Sequence, residues 1–165
     1  MALVAGCATV ASKDGAAPVR PLASDITGFS VAGRISVRHG ESRYSAHLTW
    51  RHEPVRDEIL LTNPLGQGIA EVVRDDNGAR LTLADRREYA AADWEQLSER
   101  IFGVRLPLGA LPHWVVGDTR GKVAGWRMEI LEREDAALNP LPTLMDLSGA
   151  DTEVRLKIDE WSEVR

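Results

Sequence analysis

The stretch EILLTNPLGQGIAEVVRD, Glu58 to Asp75, reads as a strand, a tight turn and a second strand. Turn tips in soluble proteins are mostly polar, yet this tip is Pro64-Leu65-Gly66. Pro64 fixes its own φ and biases Asn63 toward extended backbone. Gly66 permits positive φ. Leu65 is therefore held on a stiff, narrow projection. It either folds back onto the sheet end or points outward to an apolar phase or partner. One fully buried leucine is worth about 1.5–3 kcal/mol. That is too little to anchor a protein, and enough to bias the contact of one already tethered.

Period-2 alternation extends on both sides of this hairpin. FSVAGRISV puts Phe29, Val31, Gly33, Ile35 and Val37 on one face and Arg34 and Ser36 on the other, with Arg38 continuing that second face. RYSAHLTW sets Tyr44, Ala46, Leu48 and Trp50 against Arg43, Ser45, His47 and Thr49. RHEPVRD reads as a turn, DDNG as a hairpin before ARLTLAD, and REYAA as a short extended piece. The period then changes. In ADWEQLSERIFG, Asp93 is a candidate N-cap with Gln96 three residues on. Trp94, Leu97 and Ile101 form one apolar stripe, and Gly103 is the expected stop. A second short helical pattern carries Leu108, Leu111, Trp114 and Val115, with Gly117 as its stop. Strands resume in GWRMEILERE, PTLMDLS and TEVRLKIDEW.

Five or six strands, two short helices and three more strands, all on short turns, argue for an antiparallel sheet. Eight or more twisted strands tend to curl rather than lie flat. The expected fold is mainly β with short helices: a curved antiparallel sheet forming an incomplete barrel, with a helical lid over a hydrophobic cavity. Strand alternation and the helix stripes assign the cavity to Val31 and Ile35, to Tyr44, Ala46, Leu48 and Trp50, and to Leu61. Trp94, Leu97 and Ile101, Leu111 and Trp114, and finally Met128 and Ile130 complete it.

The 165 residues are 44% hydrophobic and 27% charged, which suits one globular domain with its own core and does not suit disorder. The formal net charge of -5, with signs mixed along the chain, gives no electrostatic reason to expect nucleic acid. No apolar run approaches the roughly 18 residues of a membrane-spanning helix. The single cysteine, Cys7, excludes an intrachain disulfide. It closes Val4-Ala5-Gly6-Cys7, a pattern of one apolar and two small residues before Cys that matches a bacterial lipobox. Residues 1–6 read as a truncated signal remnant and residues 7–25 as a flexible, lipid-attached tether rich in small residues, with Pro18 and Pro21. Residues 26–165 form the single domain.

Enzyme chemistry finds little support. There is no G-x-S-x-G elbow and no glycine-rich phosphate loop, and the four histidines, His39, His47, His52 and His113, do not fall at metal-ligand spacings. His47 and His52 read as polar residues on an outward face and in a turn. The pairs Asp57-Glu58, Asp75-Asp76 and Asp159-Glu160 read as solvated charges at strand ends and turns. No enzyme activity, cofactor or metal is expected.

Five pieces together resemble the LolB family of outer-membrane lipoprotein receptors from Gram-negative bacteria. They are GRISV with its following LTW, the LLTNPLG turn, YAAADWEQLSERIFGVRLPLGALPHWVVG, LPTLMDLS and the closing VRLKIDEW, in the family's order over about residues 29 to 161. The resemblance implies a monomer, lipid-anchored on the periplasmic face of the outer membrane. It would accept acylated lipoproteins from a LolA-like periplasmic carrier and place them in the inner leaflet, with outer-membrane phospholipid as the acceptor and no nucleotide consumed. By the same resemblance Cys7 matches the lipid-attachment site, and Pro64, Leu65 and Gly66 match the loop that inserts into the membrane. Two other readings stay open on the residues alone: a soluble or anchored periplasmic lipid-binding carrier, and a structural outer-membrane lipoprotein. Arg34, Arg38 and Arg43 are candidates, by sign, for docking the carrier.

Overall fold

Nine strands pair antiparallel into one open, curved sheet in the computed structural model, which describes residues 18–135 and 137–165. In chain order they are β1 (Phe29–His39), β2 (Ser42–Glu53), β3 (Arg56–Thr62), β4 (Gly68–Asp75), β5 (Gly78–Leu83) and β6 (Glu88–Ala91). The helices α1 (Trp94–Phe102) and α2 (Leu111–Val115) follow, then β7 (Arg127–Arg133), β8 (Pro142–Gly149) and β9 (Thr152–Val164). The spatial order is β6-β5-β4-β3-β2-β1-β9-β8-β7. The two edges, β6 and β7, are therefore consecutive in the chain. The segment joining them has to cross from one edge of the sheet to the other, and it carries both helices. That is why the helical insert lies as a lid on an incomplete barrel.

Register explains which residues the lid covers. Side chains alternate faces along each strand, so paired residues share a face. One concave row runs Trp161, Val31, Trp50, Ile59, Val72, Leu81 and Tyr89 across seven strands. The next runs Ile158, Gly33, Leu48, Leu61, Ala70 and Leu83. Beyond it lies Ile130, Met145, Leu156, Ile35 and Ala46. The last is Met128, Leu147, Val154, Val37 and Tyr44. The opposite face carries most of the charges, including the ion pairs Arg34–Asp159, Arg38–Glu153 and Arg155–Asp146.

α1 is too short to hold itself together in water, so packing of its apolar stripe supplies the stability. Asp93 caps it by accepting from the Gln96 backbone N–H at 2.7 Å, and the Gln96 side chain returns a bond to Asp93 at 3.1 Å. Trp94 and Leu97 are buried, and Gly103 closes the helix with its N–H on the Glu99 carbonyl. Leu106, Leu111, Trp114, Val115 and Val116 extend the buried strip through the second helix.

Ahead of the sheet, the chain from Pro18 is clasped to the loop between β7 and β8. Val19 makes a parallel bridge with Leu138, and Arg20 donates to Glu134 through Nε and Nη2. Burial pushes the Glu134 carboxyl up, but the Arg20 guanidinium and the Leu141 N–H outweigh it and hold the group below its ordinary value. Cys7 and the remainder of residues 1–17 lie outside the described residues.

β1 and β9 are paired through two register irregularities that flank Ala32. At Gly33 they approach so closely that an added Cβ would stand 2.0 Å from the Lys157 carbonyl oxygen. Backbone cannot yield as a flexible side chain can. Gly33→Ala is expected to destabilise the fold by at least about 1–3 kcal/mol, read as a lowered urea midpoint. An unchanged midpoint would show that the β1–β9 contact is looser than described.

Candidate functional site

The β3–β4 turn is built by one side chain. Asn63 Oδ1 accepts the backbone N–H groups of Leu65 at 2.9 Å and Gln67 at 3.0 Å. Its own N–H donates to the Gln67 carbonyl at 2.9 Å, and its carbonyl accepts from Gly66 at 2.9 Å. Its Nδ2 donates to Gln67 Oε1 at 2.9 Å. Gly66 adopts φ 81°, the left-handed conformation glycine permits. Five hydrogen bonds thus fix the loop while Leu65 itself is 85% exposed. Of the two placements open to Leu65, the structure has it pointing outward.

The turn stands beside an open part of the barrel. β3 stops at Thr62, paired with His47, so residues 42–46 of β2 extend past it without a β3 partner. Pro64 lines a groove of about 490 Å³ that is mostly on the outer face, with Arg34, Ser36, His47, Leu144 and Lys157, and that reaches Ile35 and Ala46. On the concave side of this end the cover is uneven: Val37, Met145, Leu147, Val154 and Leu156 are buried, and their neighbours are not. Ile35, Ala46, Leu61, Ile101, Met128 and Ile130 are half-buried, and Tyr44 is 48% exposed, with Phe102 of α1 resting on it at 5.3 Å between ring centroids. At the other end Val31, Leu48, Trp50, Trp94, Leu97, Leu111 and Trp114 are buried. Trp50 meets Phe29 and Trp94 edge to face, and Phe29 meets Trp161 in the same way. The fourteen residues assigned to a cavity all lie on the concave face or the lid. One half of them is sealed core, and the other half is only partly covered.

The sealed end contains a polar cluster that contradicts two expectations. Asp57 is not a solvated charge: it is 0% exposed and lies on the concave face two residues before Ile59. Its Oδ1 accepts the Trp50 indole N–H at 2.8 Å and lies 2.7 Å from His52 Nδ1; its Oδ2 accepts Arg74 Nε at 2.8 Å and also Arg74 Nη2. His52 is likewise not a turn residue, because β2 runs on to Glu53 and the reversal is confined to Pro54 and Val55. Its ring packs on Phe29 at 4.9 Å. Arg74 also sits 5.6 Å above the Trp94 ring, tying the first turn of the lid to the sheet. The signal was present in the sequence. Asp57 shares parity with Ile59 and Leu61, and Arg74 with Val72 and Ala70, so alternation places both inward. The charge of each residue outweighed that pattern.

The arginines proposed for docking differ in availability. Arg34 is held by Asp159 at 2.8 Å; the shared hydrogen bond raises the arginine and lowers the carboxyl. Arg38 is paired with Glu153. Arg43 is exposed and makes no ion pair among the described residues. Among those same residues no group of three or more His, Cys, Asp or Glu could hold a metal ion.

The family model described as outer membrane lipoprotein LolB matches residues 27–161. The chain belongs to the LolB family. It is 32% identical to the outer-membrane lipoprotein LolB of Azoarcus sp. (strain BH72), covering 97% of this chain and 90% of that protein. It is 34% identical to that of Nitrosomonas europaea, over 81% of this chain and 72% of the relative, and 32% identical to that of Thiobacillus denitrificans, over 94% and 90%.

In this LolB-family domain the Asp57 cluster has a measurable consequence. Removing one partner of a buried ion pair leaves the other uncompensated, whereas replacing both by apolar groups relieves the desolvation cost. Asp57→Asn is expected to lose on the order of 3 kcal/mol in urea unfolding. The double variant Asp57→Asn/Arg74→Met, which keeps an acceptor for the Trp50 indole N–H and leaves no unpaired charge, is expected to lose clearly less. Equal losses would mean that packing, and not charge, sets the contribution of the cluster.

Proposed function

We propose that this chain receives acylated lipoproteins from a LolA-like periplasmic carrier on its apolar concave face and inserts them into the inner leaflet of the outer membrane. It does so while anchored to that membrane through a lipid on Cys7. The observation that carries this reading is the placement of Leu65. An 85% exposed leucine on a hydrogen-bonded turn stands at the end of the sheet where Ile35, Ala46 and Leu61 are half-buried on the concave face. Membership in a family described as outer-membrane lipoproteins supports the same reading.

The energetics require no nucleotide. Each methylene removed from water is worth about 0.8 kcal/mol, so an acyl chain moves wherever more of it is buried. A concave face that is only partly covered can hold a chain less tightly than a bilayer does, which gives the transfer its direction. Opening the lid costs the contacts of α1, and these are weakest at the Phe102–Tyr44 end, where both rings remain partly exposed. The chain would then leave the barrel near the leucine turn. Leu65 supplies a small apolar contact, about 1.5–3 kcal/mol if fully buried, that orients an already tethered domain.

Transfer of a radiolabelled lipoprotein from the carrier to this domain, and onward to liposomes, tests the proposal with Leu65 intact and as Leu65→Glu. The substitution is expected to leave the urea midpoint within about 0.5 kcal/mol of the parent, since an exposed site tolerates change. Cargo uptake should persist while delivery to liposomes falls at least tenfold. Delivery that survives Leu65→Glu would remove the turn from the mechanism, and failure of both forms to take cargo would remove the receptor reading itself.

A further inference from the structure

The outer face of the leucine hairpin departs from the alternation that most of the sheet obeys. Antiparallel strands with one solvated face normally alternate apolar inward and polar outward. On β3 and β4, however, Leu60, which alternates with the inward Ile59 and Leu61, is 46% exposed, and Ile69, next to the inward Ala70, is 40% exposed. Ile69 is an extra residue: Thr62 pairs with Gly68 and Leu61 with Ala70, so the irregularity leaves Ile69 between them. A bulge of this kind re-aims a side chain. Nothing in the fold requires either residue to be large and apolar.

We propose that the membrane footprint of this domain extends past the tip onto this outer face, with Ile69 and Leu60 resting in the headgroup region of a phospholipid bilayer. The proposal rests on insertion of Leu65 and adds the depth and orientation at which the hairpin docks. The turn is fixed by the Asn63 bonds, so tip and strands enter as one body. At about 3.4 Å per residue, Ile69 stands about 14 Å behind Leu65 and Leu60 about 17 Å. With the tip about 10 Å past the boundary between headgroups and acyl chains, both reach the headgroup layer, which is about 5–7 Å thick.

The charges mark where the footprint ends. Glu71 pairs with Leu60 and is exposed, which holds that level at the outer headgroups. The next outward row contains Arg51, Glu58 and Arg80 and belongs to water. Two side chains and a tip also form too small a patch for a stable protein interface, which buries about 1,200 Å² or more. Lipid asks for no such area.

The test uses the full chain with Cys7→Ser and a single new cysteine, Leu65→Cys, Ile69→Cys, Leu60→Cys or Arg80→Cys, labelled with an environment-sensitive fluorophore. Vesicles of phosphatidylethanolamine and phosphatidylglycerol are then added. The expected result is an emission blue shift that decreases in the order 65, 69, 60 and is absent at 80. In the unlabelled full chain, Leu60→Ser together with Ile69→Ser is expected to lower vesicle partitioning about tenfold without changing the urea midpoint. A shift at 65 with none at 69 and 60 would overturn this footprint and leave tip insertion standing. No shift at any position would overturn both. A shift at 69 and 60 that appears with the carrier and not with vesicles would overturn the proposal in favour of a protein-contact surface.

Discussion

Everything functional in this domain follows from a continuous antiparallel register across nine strands. Because each strand alternates faces, one register places Val31, Trp50, Ile59 and Val72 in a single concave row and sends most of the charges outward. A slip of one residue in any central strand would move arginine and glutamate onto the lid. The same topology makes β6 and β7 both the edges of the sheet and chain neighbours. The helical segment is therefore obliged to span the open side of the barrel, and its aromatic residues seal one end.

The two ends of the barrel differ in chemistry. At one, Trp50, Trp94 and Phe29 pack edge to face over a buried carboxylate whose acceptors are filled by Trp50, His52 and Arg74. That arrangement is dense and polar-satisfied, suited to holding the lid's first turn in place. At the other, β2 runs past its partner β3, α1 ends on a half-exposed tyrosine, and the leucine turn projects. A domain that must hold an acyl chain and then release it needs both properties, rigidity at a pivot and partial cover at an exit.

Much of this was legible in the sequence because strand alternation is a strong local signal. The assignments of Ile35, Leu61, Met128 and Ile130 to the concave face needed only parity, as did the expectation that Trp94 and Trp114 sit on the lid. Asn63 as the organiser of the turn was less visible, since its role lies in bonds to residues two and four positions on. Asp57, His52 and Arg74 escaped for a different reason. A lone charge at a strand end is usually solvated, and only the meeting of β2, β3 and β4 brings a histidine, an aspartate and an arginine together in the interior. The clasp of Arg20 on Glu134 spans more than a hundred residues and has no local pattern at all.

The central claim is that acyl chains occupy the half-covered concave face. It is tested most directly by methyl NMR of the domain with a lipoprotein whose acyl chain carries a nitroxide. The account predicts strong broadening of Ile35, Leu61, Met128 and Ile130 methyls, with Leu131 and Leu138 on other surfaces unaffected. Broadening confined to those outer residues, or none in the complex, would contradict it.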